Sequence, residues 1–199
     1  ALRCVRMAME MQARMKELGL TETVQLHGYF IRRMDQFLTK RGRRLVGWDE
    51  ILEGGVDQSA TVMSWRGNKG GLKAAKAGHD VVMAANTHTY FDYYQSKDPG
   101  EPLAIGGFLP LDRVYSFDPV PPELSAEEAK RILGTQGQLW TEYIATSEYL
   151  EYMAFPRLAA LAEVAWLPPA QKDYASFLDR LRVQERRWKA MGVNFRATK

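Results

Sequence analysis

The sequence predicts an α/β fold of parallel βα units, on the scale of half of an eight-stranded (β/α)8 TIM barrel. Three observations predict it. Short apolar runs bounded by turn residues, too short for helices, recur along the chain and suit strands buried on both faces. Segments of helical periodicity alternate with those runs, which is the order that βα units require. The chain has 199 residues, whereas a complete barrel of this kind takes about 250.

The elements follow in order. Residues 1–20 read as a helix, with Met7, Met11 and Met15 recurring every fourth position and Leu18 and Leu20 behind them. Residues 23–40 form a stronger helix, because Leu26, Phe30, Met34, Phe37 and Leu38 share one face while Arg32, Arg33 and Lys40 lie off it. Gly42 suits a helix C′ position that needs positive φ. Leu45-Val46-Gly47-Trp48 is the first strand, Ala60 to Trp65 the second, and Asp80 to Ala84 the third. Between the last two, residues 70–77 form a short helix ended by Gly78.

The stretch from Tyr94 to Pro122 is rich in Pro and Gly. It is too long for a plain connector and reads as a binding loop or lid. Ser125 with Glu128 makes a capping box that opens another helix. Leu133 to Trp140 is the fourth strand. Residues 147–166 are helical with a kink at Pro156, and they stop before Pro168-Pro169. Tyr174, Phe177, Leu181 and Trp188 mark the face of a final helix closed by Gly192. No sequence repeat interrupts this order.

Composition removes several function classes. Apolar residues are 46% and charged residues 26%, a globular balance that excludes disorder. No apolar run reaches the roughly 18 residues of a membrane span, and mean hydropathy is −0.35. Cys4 is the single cysteine and His27, His79 and His88 lie far apart, so no metal site is expected. The net charge of +3 is small for a nucleic-acid binder, and the cations are interleaved with acids, so no nucleic-acid partner is expected. The chain starts at Ala1 without an apolar signal core and reads as the interior or tail of a longer protein.

The informative feature is what ends each strand. The first ends Trp48-Asp49-Glu50 and the second Ser64-Trp65-Arg66. The third runs into Thr89-Tyr90-Phe91-Asp92-Tyr93-Tyr94, and the fourth ends Leu139-Trp140-Thr141-Glu142. In barrels of this type the C-terminal strand ends form the active-site face, so four such ends would converge on one pocket. Aromatic faces stack on the C–H faces of sugar rings, and carboxylates accept from sugar hydroxyls. A phosphate site would want a Gly-rich turn with Lys or Arg, and none is present after these strands.

Gly47-Trp48-Asp49-Glu50-Ile51, Val62-Met63-Ser64-Trp65-Arg66-Gly67, Tyr90-Phe91-Asp92-Tyr93-Tyr94 and Leu139-Trp140-Thr141-Glu142 resemble the successive motifs of family 20 glycoside hydrolases, the β-N-acetylhexosaminidases. The segment from Met11 to Leu20 is similar to the helix after that family's catalytic loop. The resemblance spans nearly the whole chain with order intact, and it implies strands five to eight of the barrel, with residues 1–199 as the C-terminal half of the catalytic domain. The family's catalytic pair, an adjacent Asp-Glu in a His-x-Gly-Gly-Asp-Glu motif, is absent and is expected upstream. Asp49-Glu50 matches the family's next strand, which implies hydrogen bonding beneath Trp48 rather than acid catalysis.

The resemblance implies exo-acting, retaining hydrolysis of terminal β-linked N-acetylhexosamine, assisted by the substrate's own acetamido group. The acetamido oxygen attacks the anomeric carbon, and the acetamide must be bent under the ring and held there. By the match, Trp48, Trp65 and Trp140 wall the acetamide, Tyr90 is the catalytic donor to its oxygen, and Asp92 and Glu142 accept from the sugar's O4 and O6 hydroxyls. An aromatic cluster under a loop is the structural alternative for Tyr90. A helix cap is the alternative for Asp92, and an arginine pair for Glu142. Trp166 and Trp188 are expected to pack on helix faces, and no role falls to His79 or His88. The resemblance implies no cofactor, an N-acetylhexosamine-terminated glycan or chitooligosaccharide as partner, and a periplasmic or secreted setting. A reading of a different class is a non-catalytic carbohydrate-binding or self-assembling half-barrel module, pairing with another copy through its open strand edges.

Overall fold

The computed structural model describes residues 2–198. Two helices open the chain, α1 (Leu2–Glu17) and α2 (Thr23–Thr39); the expected helix start at residue 1 lies outside the described residues. Strand β1 (Val46–Trp48) runs into a 3-10 turn over Asp49–Leu52. Then come β2 (Thr61–Ser64), α3 (Lys69–Lys76), β3 (Val81–Met83) and the single helical turn α4 (Asn86–Thr89). The long connection holds α5 (Leu111–Tyr115). It is followed by α6 (Ala126–Ala129), β4 (Ile132–Thr135), α7 (Ser147–Ala154), α8 (Arg157–Trp166) and α9 (Tyr174–Met191).

The four strands are parallel and neighbours in chain order, β1-β2-β3-β4. Parallel neighbours need a crossover, and α3 supplies one between β2 and β3, packing on both. The α/β class with a parallel sheet therefore stands as the alternation predicts. Val62, Val81 and Met83 are fully buried in one core with Ala74 and Ala75 of α3, Leu161 of α8 and Leu181 of α9. Helix ends behave as the residues dictate. Ser125 and Glu128 form the reciprocal capping box, and Gly42, Gly78 and Gly192 take positive φ.

Several expectations need correction. The first strand is not buried on both faces: β1 sits at the sheet edge and Val46 is exposed. The fourth strand runs from Ile132 to Thr135 and so stops short of Trp140, and a bulge in it opposite Val81 and Val82, with Gly134 at φ +148°, leaves Leu133 exposed. Residues 147–166 are two helices, not one kinked helix, divided at Phe155-Pro156. Trp188 packs against Phe155 and Phe195 at 4.6 and 5.4 Å, but Trp166 is 87% exposed.

Helix α2 departs most from its periodicity. Phe30, Met34 and Phe37, the predicted core stripe, are exposed. The helix docks instead through Gly28 and Asp35. A Cβ on Gly28 would stand 2.1 Å from the Gly54 carbonyl oxygen, so only glycine admits this approach. Arg32 seals the contact by donating to the Gly54 carbonyl at 2.7 Å.

Candidate active site

Each aromatic of the site is delivered by a different strand. Trp48 is the last residue of β1, and Trp65 follows β2 directly. Tyr90 stands farther from its strand than the sequence suggests, since α4 intervenes after β3. The chain then returns to the sheet: Phe91 N–H donates to the Gln138 carbonyl at 2.7 Å, and Gln138 N–H donates to the Thr89 carbonyl at 2.7 Å. That parallel bridge fixes Tyr90 beside the extension of β4 that carries Trp140.

The rings meet around one cavity of about 570 Å³, lined by Trp48, Trp65, Tyr90 and Trp140 together with Glu50 and His27. Trp48 and Trp140 lie 6.0 Å apart between centroids at 45°. Trp65 stacks on Tyr90 at 6.3 Å and 28°. Tyr90 is buried, while Trp140 stays 43% exposed at the rim. Burial raises the Tyr90 phenol above its ordinary range, and contact with the Trp140 side chain only partly opposes this. At neutral pH the group is a protonated phenol, able to donate a hydrogen bond.

The acids after β1 orient the next strand end. Glu50 accepts from the Trp65 indole N–H with both oxygens, at 2.9 and 3.1 Å. Asp49 is buried and accepts from the backbone N–H groups of Trp65 and Arg66 at 3.1 and 3.3 Å, and from Arg66 Nε at 2.5 Å. This hydrogen bonding centres on Trp65 rather than on Trp48.

Asp92 and Glu142 do not line that cavity. Asp92 is only 4% exposed and its Oδ1 has no partner. Burial pushes its carboxyl up to about 6, with help from the nearby Glu142 charge, against a downward pull from a backbone hydrogen bond and a smaller one from Arg157. Glu142 is exposed. The geometry thus joins Trp48, Trp65, Tyr90 and Trp140 in one cavity, and sets Asp92 and Glu142 close to each other beside it.

The chain that carries this arrangement is similar to known proteins in sequence and in fold. The profile described as glycosyl hydrolase family 20, catalytic domain, matches residues 2–169. The chain belongs to that family. It is 48% identical over 185 residues to a beta-hexosaminidase of Porphyromonas gingivalis, covering 92% of this chain and 24% of that protein. It is 37% identical over 155 residues to a beta-hexosaminidase of Vibrio furnissii, covering 76% of this chain and 25% of the relative. The chain therefore spans about a quarter of the length of these curated relatives. Among solved structures, the GH20 exo beta-N-acetylglucosaminidase of Vibrio harveyi in complex with N-acetylglucosamine superposes with a TM-score of 0.85 at 36% identity, covering 94% of this chain and 30% of that one. A GH20 beta-N-acetylhexosaminidase from Streptomyces coelicolor A3(2) gives 0.76 at 28% identity, over 86% of this chain and 36% of that one.

Sequence reasoning missed two residues of this family 20 chain. Arg157 is fully buried and donates to the carbonyls of Phe91, Tyr93, Leu109 and Met153 at 2.5, 2.9, 3.1 and 2.7 Å. It braces the segment that bears Asp92. A signal existed: a cation in the first turn of a helix, with no acid in that turn, opposes the helix dipole, so something else must hold it. His27 lines the cavity from α2, and its four-residue spacing from Ile31, also in the lining, was the readable sign. Among the described residues there is no group of three or more His, Cys, Asp or Glu that could hold a metal ion. No helix among them is long and apolar enough to cross a membrane.

Proposed function

We propose that this chain forms the N-acetylhexosamine-binding half of a family 20 β-N-acetylhexosaminidase barrel, strands five to eight, with the catalytic Asp-Glu pair supplied upstream. The substrate is the non-reducing end of an N-acetylhexosamine-terminated glycan or chitooligosaccharide. The observation that carries this reading is the closure of Trp48, Trp65, Tyr90 and Trp140 around one cavity. Three indoles make an apolar box for the acetamido methyl, and the protonated Tyr90 phenol donates to the acetamido oxygen. That oxygen attacks the anomeric carbon as the glycosidic bond breaks. The upstream Glu protonates the leaving oxygen, the upstream Asp holds the acetamido N–H, and water then opens the cyclic intermediate with retention.

Asp92 and Glu142 serve as acceptors for the hydroxyls at the far side of the sugar. The unpartnered Oδ1 of Asp92 supports that role, because a buried carboxylate oxygen without a donor is costly until a hydroxyl fills it. Acceptors at that end require a free non-reducing terminus and so favour exo action.

The test is turnover of a chromogenic N-acetylglucosaminide by the complete polypeptide that carries this chain, with single sugars released from the non-reducing end. Absence of turnover, or release of internal oligosaccharides, would sink the proposal.

The exposed stripe Phe30, Met34 and Phe37 favours a second reading, in which two copies of the chain cover each other's apolar faces and open strand edges. Light scattering on the 199-residue chain separates the two. A stable dimer that binds N-acetylglucosamine without hydrolysing it supports the module, and a monomer argues against it.

A further inference from the structure

The family match ends at residue 169, yet the chain's last residues pack back against the core, α7 and the long loop that follows Asp92. After α9, Val193 and Phe195 pack on the main core. Asn194 N–H donates to Glu151 at 2.8 Å, and its side-chain amide donates to the Glu148 carbonyl at 2.7 Å. Arg196 N–H donates to the Phe155 carbonyl at 3.2 Å. The tail is thereby laid along α7, and Arg196 Nε reaches Glu101 at 2.6 Å.

Glu101 lies in the long connection that follows Asp92. Its side chain is 4% exposed and that of Arg196 21% exposed, so this pair is shielded in a way that surface pairs are not. Glu101 also accepts from the Ser96 hydroxyl at 2.5 Å and the Tyr152 hydroxyl at 3.1 Å. Burial pushes its carboxyl up, and the three donors outweigh that and hold it below the ordinary range. The ionised acid is therefore the anchor of its loop.

That loop packs beside the segments that carry the two candidate hydroxyl acceptors. A small satellite core joins Ala104 of the loop to Ile144 and Met153, with Tyr94 and Tyr152 against it. Tyr94 is two residues past Asp92, and Ile144 is two residues past Glu142. The Tyr149 hydroxyl donates to the Leu103 carbonyl, and Gln95 donates to the Tyr152 carbonyl at 2.6 Å. Asp92, Glu101 and Arg196 all act electrostatically on the buried Arg157.

We infer that Arg196 is a positioning residue: through its ion pair with Glu101 it pins the 94–110 loop and so sets the placement of Asp92 against Glu142 for the terminal sugar. The inference rests on the proposed hexosaminidase reading.

The experiment measures steady-state turnover of a chromogenic N-acetylglucosaminide by the complete polypeptide with Arg196→Gln, Arg196→Lys and Glu101→Gln. A lost positioning contact weakens binding of ground state and transition state alike, so Arg196→Gln is expected to raise KM about tenfold with kcat within about twofold. Arg196→Lys keeps the charge and should recover most of that loss. Combining Arg196→Gln with Glu101→Gln should cost no more than the larger single effect. A merely structural role would reduce the folded fraction, lowering kcat with KM unchanged, and that result overturns the inference. If the wild-type polypeptide shows no turnover, the hexosaminidase reading fails. The latch is then read by hydrogen exchange over residues 96–104, where protection in Arg196→Gln equal to wild type overturns it as well.

Discussion

Both carboxylate oxygens of Glu50 accept from the indole N–H of Trp65, at 2.9 and 3.1 Å. An acid at the end of one strand thus aims the aromatic wall supplied by the next. This argues against reading Asp49-Glu50 as a displaced catalytic pair, since Asp49 is engaged with Arg66 and two backbone N–H groups. Glu50→Gln keeps one acceptor oxygen for the indole. In the complete polypeptide it is expected to lower kcat/KM by about tenfold or less, as for one weakened charged hydrogen bond. A loss of several thousandfold would mean that Glu50 transfers a proton to the leaving group.

Tyr90→Phe removes the buried donor while leaving the ring stacked on Trp65. The expected outcome is a fall in kcat of about 10²–10³, the range for a lost preorganised donor, with little change in thermal midpoint. Paired kinetics and thermal melts check this. An unchanged kcat would remove Tyr90 from the chemistry.

Asp92 sets a pH dependence whose sign follows from its burial. Its carboxyl titrates at about 6 in the folded chain, above its ordinary value of 3.8. The folded state therefore prefers the protonated form. The stability contributed by this group is present in full below about 4 and is lost as pH rises through about 6. Asp92→Asn, neutral throughout, should gain stability relative to the wild type between pH 4 and pH 8. Urea melts of both proteins across that window measure the difference, and parallel curves would contradict the assignment.

Arg157→Leu strands four carbonyls that now share one guanidinium. Burying acceptors without donors costs about 1–3 kcal/mol each before relaxation, so a loss of roughly 3 kcal/mol or more is expected by urea denaturation. A loss under about 1 kcal/mol would show that the segment bearing Asp92 holds its shape without the brace.

Gly28→Ala places a methyl 2.1 Å from the Gly54 carbonyl, where backbone rather than a flexible side chain must yield. Overpacking of this kind costs about 1–3 kcal/mol. Because His27, next to Gly28 in the chain, lines the cavity, weaker sugar binding should accompany the lower thermal midpoint, as titration calorimetry would report.

Much of this was legible in the sequence. Short apolar runs ending in Trp48 and Trp65 marked two strand ends, because period and length distinguish such strands from helices, whereas the fourth strand stops at Thr135, short of Trp140. The Ser125–Glu128 box and the glycines after helices were readable because caps are local. Three things were not local. The stripe Phe30, Met34 and Phe37 has helical period, but period cannot say which surface covers a helix, and here Gly28 decided the docking. The fourth strand shifts register opposite Val81 and Val82, a pairing between strands about fifty residues apart that no local pattern displays. The joining of Glu101 to Arg196 spans 95 positions, and no spacing rule reaches that far. The sequence alone determined the class of the fold and the chemistry at each strand end, because those depend on neighbours in the chain. Only the tertiary structure decided which ends share a cavity and which buried charges brace them, because burial is a property of what the rest of the chain brings alongside.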